Sequence, residues 1–127
     1  MSEILVYVDR SSVREGALEQ LRPAIAELAE FVQANVPRVL SYSVYFSDDG
    51  HEMTVVHVHP DAASLDDHLE IAGPRFAPFR DLVALSGITI YGRPSAQALG
   101  KLQEKLTLLG SGEVVVQTAD AGFSRSA

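Results

Sequence analysis

Three of the four histidines in this sequence lie close enough along the chain to act together. His57 and His59 are two residues apart in an apolar, β-branched run, and His68 follows nine residues later. Alternate residues of a β-strand point to the same face of the sheet, so His57 and His59 are neighbours on one face. Paired imidazoles can bind a metal ion together with a third ligand, or can hold and transfer protons near neutral pH.

A metal site at this pair requires a third ligand, and His51 and His68 are the available histidines. No acidic residue completes the set at a typical spacing, so we expect no metal. The favoured interpretation is a pair of partly buried histidines that hydrogen-bond the backbone or Tyr42. The sequence contains no cysteine, which removes thiolate nucleophiles and Cys-type zinc sites.

The histidine pair belongs to a predicted β-hairpin. Residues 39–46 and 53–59 are rich in β-branched and aromatic residues, and Asp49-Gly50 lies between them. Asp-Gly is a strong turn signal because glycine supplies the positive φ that a tight turn needs. With Asp49 and Gly50 as the two turn residues, Ser47 pairs with Glu52 and Tyr42 lies opposite His57.

This register divides the hairpin into two faces. The first carries large side chains, several with polar tips, and we interpret it as the wall of a ligand cavity in a barrel lumen: Leu40, Tyr42, Val44, Phe46, Met53, Val55, His57 and His59. The second carries mostly small side chains, which suit packing against helices: Ser41, Ser43, Tyr45, Thr54, Val56 and Val58.

The N-terminal part of the chain predicts a strand at 4–8 and then a helix. Apolar residues recur at helical spacing over 17–32, and residues 12–15, Ser-Val-Arg-Glu, have the form of a capping box. Pro23 predicts a kink or a restart of this helix, and Pro37 marks its end.

His68 belongs to a second predicted helix, capped by Asp61 or Ser64. The inward stripe of this helix is Leu65, His68, Leu69 and Ala72. Gly73-Pro74 ends the helix, and a further helical turn or two over 76–83 leads to a strand at 87–92. Ser95 caps a third helix, which precedes a last strand at 114–118.

The element order is βαββαβ followed by a helix and a strand. It predicts an α+β fold of the ferredoxin-like type, with helices on one side of an antiparallel sheet. We expect one domain over 1–127, with a core at about 3–93 and an appended αβ unit at about 94–120.

The strands place apolar residues on both of their faces, as at 4–6 and 114–116. A solvated sheet face would be polar at every second residue, so a second copy of the chain is expected to cover the other face. The predicted assembly is a homodimer in the form of an α/β barrel. The alternative is that the appended helix and strand fold over that face within one chain.

Charge and hydropathy disfavour other classes of partner. The formal charge of the 127 residues is −7 and no cluster of Lys and Arg offsets it, which argues against nucleic-acid binding. No run of about eighteen apolar residues and no secretory leader is found, so we expect no membrane span and a cytoplasmic location.

The segment from Val55 to Phe79 resembles the antibiotic biosynthesis monooxygenase family. The family pattern there is a strand, an acidic helix cap, an Ala/Leu pair, and a helix-borne His followed by Phe residues. The residues in those places are Asp61, Leu65, His68, Phe76 and Phe79. The strand–helix–strand layout of 4–46 also matches, so the resemblance covers about the first ninety residues.

The resemblance implies a dimeric α/β barrel whose lumen binds a small, hydrophobic, often aromatic molecule. It implies oxidation of that molecule by O₂ without a cofactor, with His68 as a base or a substrate-orienting group. The substrate-binding residues would be Tyr42, His57, His59, Phe76 and Phe79. Other family members bind or degrade haem. An active-site Trp is typical of the haem-degrading branch, and this sequence has no Trp.

Two functions stay open at this point. One is a cofactor-independent monooxygenase acting on a small aromatic or polyketide-like molecule. The other is a non-catalytic, small-molecule-binding or stress-related dimeric α/β-barrel protein, which the missing Trp and the lack of a paired acid–base set favour.

Overall fold

The computed structural model describes residues 3–125, which form a five-stranded sheet and three α-helices. The strands are β1 (Leu5–Val13), β2 (Ser41–Phe46), β3 (Glu52–His59), β4 (Val83–Tyr91) and β5 (Val114–Gln117). The helices are α1 (Leu18–Asn35), α2 (Ala62–Ala72) and α3 (Ala96–Leu109). Two 3₁₀ turns, Gly73–Arg75 and Ala77–Asp81, connect α2 to β4.

The strand order in the sheet is β2-β3-β1-β4-β5. The first four strands are antiparallel to their neighbours, and β5 runs parallel to β4. This arrangement confirms the predicted ferredoxin-like α+β fold, with the appended α3 and β5 extending the sheet by one strand. The predicted domain span of 1–127 stays a prediction, and its residues 1, 2, 126 and 127 lie outside the described residues.

The predicted register of the β2–β3 hairpin is confirmed. Tyr42 lies opposite His57 in the ladder. At the turn, the Ser47 amide donates to the Glu52 carbonyl at 3.0 Å, and the Gly50 amide donates to the Ser47 carbonyl at 2.9 Å. Gly50 has a φ of 74°, the conformation for which glycine was expected there.

The prediction that the second face of the hairpin packs against the helices, however, is wrong. Tyr42, His57 and His59 lie on the face that packs against the helices. The neighbouring strands explain this, because Tyr7 of β1 lies opposite both His57 and Ile90. Large apolar side chains therefore continue across the sheet on that face, and the helices cover the face that offers the most apolar area.

We call the opposite side of the sheet the open face; no helix of the described chain covers it. Its members on strands β1 to β4 include Val6, Val8, Arg10, Ser41, Ser43, Tyr45, Thr54, Val56, Val58, Thr89 and Tyr91. The alternative in which α3 folds over this face is wrong, since α3 packs on the other face through Ala98, Leu102, Leu106 and Leu109.

The start of α1 differs from the prediction. Ser12 and Val13 pair within β1, so they cannot form the predicted capping box. The helix begins at Leu18 without a side-chain cap, runs through Pro23 without a restart, and ends at Asn35, where Pro37 led us to expect its end. Backbone pairing with two neighbouring strands satisfies more amides than one cap would.

The two other helices begin where the sequence predicts. The carboxylate of Asp61 accepts from the Ser64 amide at 2.9 Å, and the hydroxyl of Ser95 accepts from the Ala98 amide at 3.0 Å. The predicted inward stripe of α2 is buried, including His68. Strand β4 begins at Val83, four residues earlier than predicted. Among residues 3–125, no helix has the length and hydropathy needed to cross a membrane.

Gly112 and Gly100 provide a matched test of how β5 is attached. Gly112 has a φ of 101°, and a Cβ there would overlap the carbonyl oxygen of Ser86 on β4. Gly100 lies in α3, where a Cβ would meet nothing within 4 Å. We expect Gly112→Ala to lower the free energy of unfolding by about 2 kcal/mol or more. Gly100→Ala should raise it by about 0.5–1 kcal/mol, because alanine has the higher helix propensity. Urea denaturation of both variants checks this; equal effects would contradict the close approach at Gly112.

Candidate functional site

A small cavity lies between the helix-covered face of the sheet and the helices, with a volume of about 30 Å³. Its polar lining residues are Asp9, Ser11, Tyr42 and Lys105, and its apolar lining residues are Ile25, Leu28, Met53, Val55, Phe76, Phe79, Val83, Leu85 and Leu109. The cavity can hold one or two water molecules, far less than the ~300 Å³ or more of an open ligand pocket. It is nonetheless an apolar space with charged groups at one end.

The polar end is a hydrogen-bonded group of three residues from the first strand and the last helix. The Tyr7 hydroxyl donates to Oδ2 of Asp9 at 2.5 Å. The Lys105 ammonium donates to the Tyr7 oxygen at 2.7 Å and to the same Asp9 oxygen at 3.2 Å. The side chains of Lys105 and Asp9 are only 11% and 6% exposed.

Burial of this charged group is costly, because both ions lose their hydration and their mutual attraction repays only part of that loss. The aromatic rings of Phe76 and Tyr7 lie 4.2 Å and 5.0 Å from the Lys105 nitrogen, and their π-faces compensate a further part. An apolar core would be at least as stable here. A buried ion pair at the wall of a cavity is therefore a functional-site candidate.

A second polar group, built from β3 and α2, lies beside the first. Nδ1 of His57 and Nε2 of His59 are 2.6 Å apart, and Nδ1 of His59 is 2.7 Å from the Ser64 hydroxyl. In each contact one partner donates and the other accepts, so the three residues form a continuous hydrogen-bonded chain. Such a chain can shift a proton from one end to the other by changing tautomers.

Aromatic stacking joins the two polar groups. The His57 ring lies between Tyr7 and Tyr42, with ring centroids 4.0 Å and 5.2 Å away. His68 packs 4.5 Å from His57 and 6.4 Å from Phe76, centroid to centroid. Its Nδ1 atom is buried and has no hydrogen-bond partner among residues 3–125. A buried polar atom without a partner costs stability, so a role outside folding is a reasonable explanation for it.

The three buried histidines are neutral at physiological pH. Burial lowers the pKa of His68 to about 3 and that of His59 to about 4. Burial also holds the pKa of His57 well below its usual value, and the proximity of His68, His59 and Lys105 lowers this pKa further. Neutral imidazoles can accept protons, and strongly shifted pKa values are typical of catalytic sites.

The two tyrosines keep their protons. Burial raises the pKa of Tyr7 well above its usual value, and the carboxylate of Asp9 raises it further. Burial likewise raises the pKa of Tyr42. Both phenols are therefore hydrogen-bond donors over the whole physiological range.

The structure brings most of the predicted site residues together. Tyr42, Phe76 and Phe79 line the cavity, whereas His57, His59 and His68 form the buried cluster next to it. The expectation of partly buried histidines bonded to the backbone or Tyr42 is wrong in detail. They are fully buried, His57 and His59 bond to each other and to Ser64, and Tyr42 stacks on His57.

Sequence reasoning did not identify Tyr7, Asp9 or Lys105 as site residues. A signal was present, since Asp9 follows Leu5 and Tyr7 on the same face of β1. Lys105 likewise lies three residues after Leu102 on the buried stripe of α3. A charged residue that continues an apolar stripe is evidence for a buried polar group.

Two further features of the described chain lie outside this cluster. An open groove of about 580 Å³ on the open face contains Arg10 and Glu113 but none of the predicted site residues. Among residues 3–125, no three His, Cys, Asp or Glu side chains are arranged to hold a metal ion. The small cavity is the better candidate because it is lined by apolar side chains and adjoins the buried polar groups.

Comparison with known proteins places the chain in a family. The family model described as antibiotic biosynthesis monooxygenase matches residues 4–73, which is more than half of the chain. The matched segment contains His57, His59 and His68 but not Lys105. No curated protein sequence matches the chain.

Solved structures share the fold at low sequence identity. MupZ from Pseudomonas fluorescens is 19% identical with a TM-score of 0.72, and the alignment covers 98% of this chain and 96% of that one. SnoaB from Streptomyces nogalater, a cofactor-independent oxygenase, is 17% identical with a TM-score of 0.62, covering 75% and 97%. A conserved protein from Methanosarcina mazei Go1 is 18% identical with a TM-score of 0.62, covering 72% and 93%.

The buried histidines predict acid sensitivity. Their pKa values are lower in the folded chain than the ordinary value of about 6.5, so the unfolded chain binds protons that the folded chain does not. Stability is therefore full above about pH 6.5 and is lost as the pH falls toward about 4. Each histidine contributes a slope of about 1.4 kcal/mol per pH unit in that window.

Urea denaturation across this pH range measures the slope. We expect His68→Leu to reduce this slope by about 1.4 kcal/mol per pH unit, the contribution of one proton. His51→Gln is the control, because His51 is exposed at the hairpin turn. An unchanged slope in His68→Leu would show that His68 is protonated in the folded state.

Proposed function

This chain belongs to the antibiotic biosynthesis monooxygenase family, and on that premise we propose that it oxidises a small aromatic or polyketide-like molecule with O₂ and no cofactor. In the simplest such reaction a ring methylene of the substrate loses two hydrogens and gains one oxygen atom as a carbonyl. The second oxygen atom leaves as water, with the two hydrogens. The substrate supplies all the electrons, so the protein must bind it, take up its protons and exclude water.

One observation carries this proposal: an apolar, aromatic-lined cavity adjoins buried groups that can accept protons. Tyr42, Phe76 and Phe79 provide aromatic walls for a planar substrate. Neutral histidines and the carboxylate of Asp9 lie within the same cluster. This combination is what substrate deprotonation in a water-excluding site requires.

His68 is the proposed base or substrate-orienting group. Its neutral ring has an unpaired Nδ1 and packs near Phe76, which lines the cavity. Tyr42 is the proposed donor to a phenol or quinone oxygen, with His57 stacked behind it as a second polar contact. His59 and Ser64 would carry a proton away from His57 along their hydrogen-bonded chain.

An aromatic substrate needs more space than the cavity has. The segment 73–81, two short 3₁₀ turns, carries both Phe76 and Phe79. Short 3₁₀ turns have poorer hydrogen-bond geometry than an α-helix, so the backbone of this segment is held less strongly than that of the helices. We propose that substrate binding displaces these two rings.

We also propose that the protein is a homodimer joined through the open face. The centre of this face consists of Val6, Val8, Val56 and Val58, and its edges include the exposed rings of Tyr45 and Tyr91. An apolar face of this kind on a sheet favours association with another sheet, and a second copy provides one with two-fold symmetry. The candidate site lies on the other side of the sheet, within each subunit.

The proposed oxidation is tested by O₂ uptake with phenolic anthrones and naphthalenediols, in wild type and in His68→Leu. We expect roughly 100-fold or greater loss of rate in the variant, the usual contribution of a general base. Because leucine removes an unpaired buried nitrogen, the variant should be as stable as wild type. An oxygen electrode measures the rate and thermal denaturation measures the stability.

Leu99→Met is the control, because it changes a partly buried side chain of α3 that does not line the cavity. Full activity in His68→Leu would reject His68 as the base. Thermal stabilisation of the wild type by these compounds without O₂ uptake would favour the non-catalytic binding function instead.

The proposed dimer is tested by Val56→Lys, which places a charge at the centre of the open face. Burial of that charge between two sheets costs several kcal/mol, so we expect a folded monomer. The substitution reduces the net negative charge, and general charge repulsion therefore cannot cause dissociation. Gln103→Lys on the exposed side of α3 is the control and should stay dimeric. Sedimentation velocity gives the assembly state; a monomeric wild type or a dimeric Val56→Lys would disprove the interface.

A further inference from the structure

We propose that Asp9 and Lys105 form the polar end of the ligand site and bind an acidic hydroxyl group, a phenol or an enol, on an otherwise apolar ligand. This proposal deepens the proposed function and rests on it, because it takes the small cavity as the ligand site. Lys105 belongs to α3 and lies beyond residues 4–73, the segment that the family model matches. The residue would therefore be an addition that the family pattern does not contain.

The protein's own Tyr7 shows how this pair binds a phenol. The Tyr7 hydroxyl donates to Asp9 and at the same time accepts from Lys105. A hydroxyl group suits the pair because it combines one donor with acceptor lone pairs. The geometry that a ligand hydroxyl needs is thus already present once in the structure.

The pair has capacity for a second hydroxyl. Among residues 3–125, the hydrogen bonds of the Asp9 side chain all end at Oδ2, which leaves Oδ1 available. The Lys105 ammonium has three N–H donors, and two of them have partners among residues 3–125. Both side chains line the cavity. A ligand hydroxyl can therefore donate to Oδ1 while it accepts from the ammonium.

Other polar ligand groups fit less well. A ligand carboxylate would place its charge against Oδ1 of Asp9, and a ligand amine would place its charge against Lys105. The remaining lining is mostly aliphatic and aromatic, so it favours an apolar skeleton. The chemistry of the cavity therefore selects a neutral hydroxyl group on an apolar ligand.

The same contacts can ionise the ligand. Asp9 accepts the hydroxyl proton on Oδ1, the electron pair stays on the ligand oxygen, and Lys105 holds the resulting oxyanion. The total charge of the site is the same before and after this step, so no net charge enters the apolar surroundings. An oxyanion is the electron-rich form of the ligand, and this form reduces O₂ more readily than the neutral hydroxyl compound does.

The experiment compares two probes of nearly equal size, 4-chlorophenol and its methyl ether 4-chloroanisole. The ether can accept from Lys105 but cannot donate to Asp9. Isothermal titration is performed on the full chain at neutral pH, where free 4-chlorophenol is un-ionised and the buried histidines do not destabilise the chain. We expect the wild type to bind 4-chlorophenol roughly 10- to 100-fold more tightly, the factor for one hydrogen bond to a charged group.

The informative variant replaces the whole polar group by apolar residues, Tyr7→Phe/Asp9→Leu/Lys105→Met. Changing Lys105 alone would leave Asp9 buried without its partner and could unfold the chain. Replacement of all three leaves no unpaired buried charge, and thermal denaturation verifies that the variant is folded. We expect it to bind both probes with equal affinity.

One control, Lys101→Met, should keep the wild-type preference, because it removes a charge from the same helix one turn earlier and leaves the Asp9–Lys105 pair in place. The proposal is overturned if the wild type binds neither probe, if it binds both equally, or if the triple variant keeps the preference. These outcomes do not depend on O₂ uptake, so a failed oxidation assay and a failed hydroxyl site are distinguishable.

Discussion

The buried ion pair between Asp9 and Lys105 constrains the rest of the structure most strongly. Two charges in an apolar interior are tolerated only when each is well bonded and surrounded. Their arrangement therefore requires the Tyr7 hydroxyl between them, the Phe76 ring against the ammonium, and a helix placed to deliver Lys105. The first strand and the last helix are 96 residues apart in sequence at this contact. The appended α3 thus completes the interior of the fold, whereas β5 adds a largely exposed strand at the edge of the sheet.

Tyr7 links this ion pair to the histidines. Its hydroxyl bonds the charged pair, while its ring stacks on His57 at 4.0 Å. One side chain on the central strand therefore contacts both polar groups, and the two groups differ in charge. The pair is ionic and internally balanced, whereas the histidine chain is kept neutral by burial. A ligand in the cavity would contact a charged end on one side and neutral, proton-accepting histidines on the other. The charged end is suited to binding a polar group, and the histidines are suited to proton uptake.

The sequence predicted the parts of this arrangement that depend on local signals. The Asp-Gly turn fixed the hairpin register, so Tyr42 and His57 were placed opposite each other correctly. Helical periodicity placed His68 on the buried stripe of α2. The face assignment failed because it used the hairpin alone. Which face the helices cover depends on the neighbouring residues of β1 and β4. The strand order that brings these residues beside the hairpin is a non-local property, so the hairpin sequence does not reveal it. Lys105 escaped detection for the same reason, since its partner Asp9 is known only once α3 is placed over β1.

The corrected face assignment changes the relation between site and dimer. On the sequence evidence, one surface would have served both as cavity wall and as dimer interface. In the structure, alternate residues of each strand lie on opposite faces of the sheet. Tyr7 and Asp9 face the candidate site, while Val6 and Val8 lie on the open face proposed for the dimer. In the proposed dimer a second sheet would restrain β1 and β3 from behind without lining the cavity. Each subunit would then hold a complete site. Movement for ligand entry would fall on the helical side, where the 3₁₀ turns at 73–81 carry the aromatic wall.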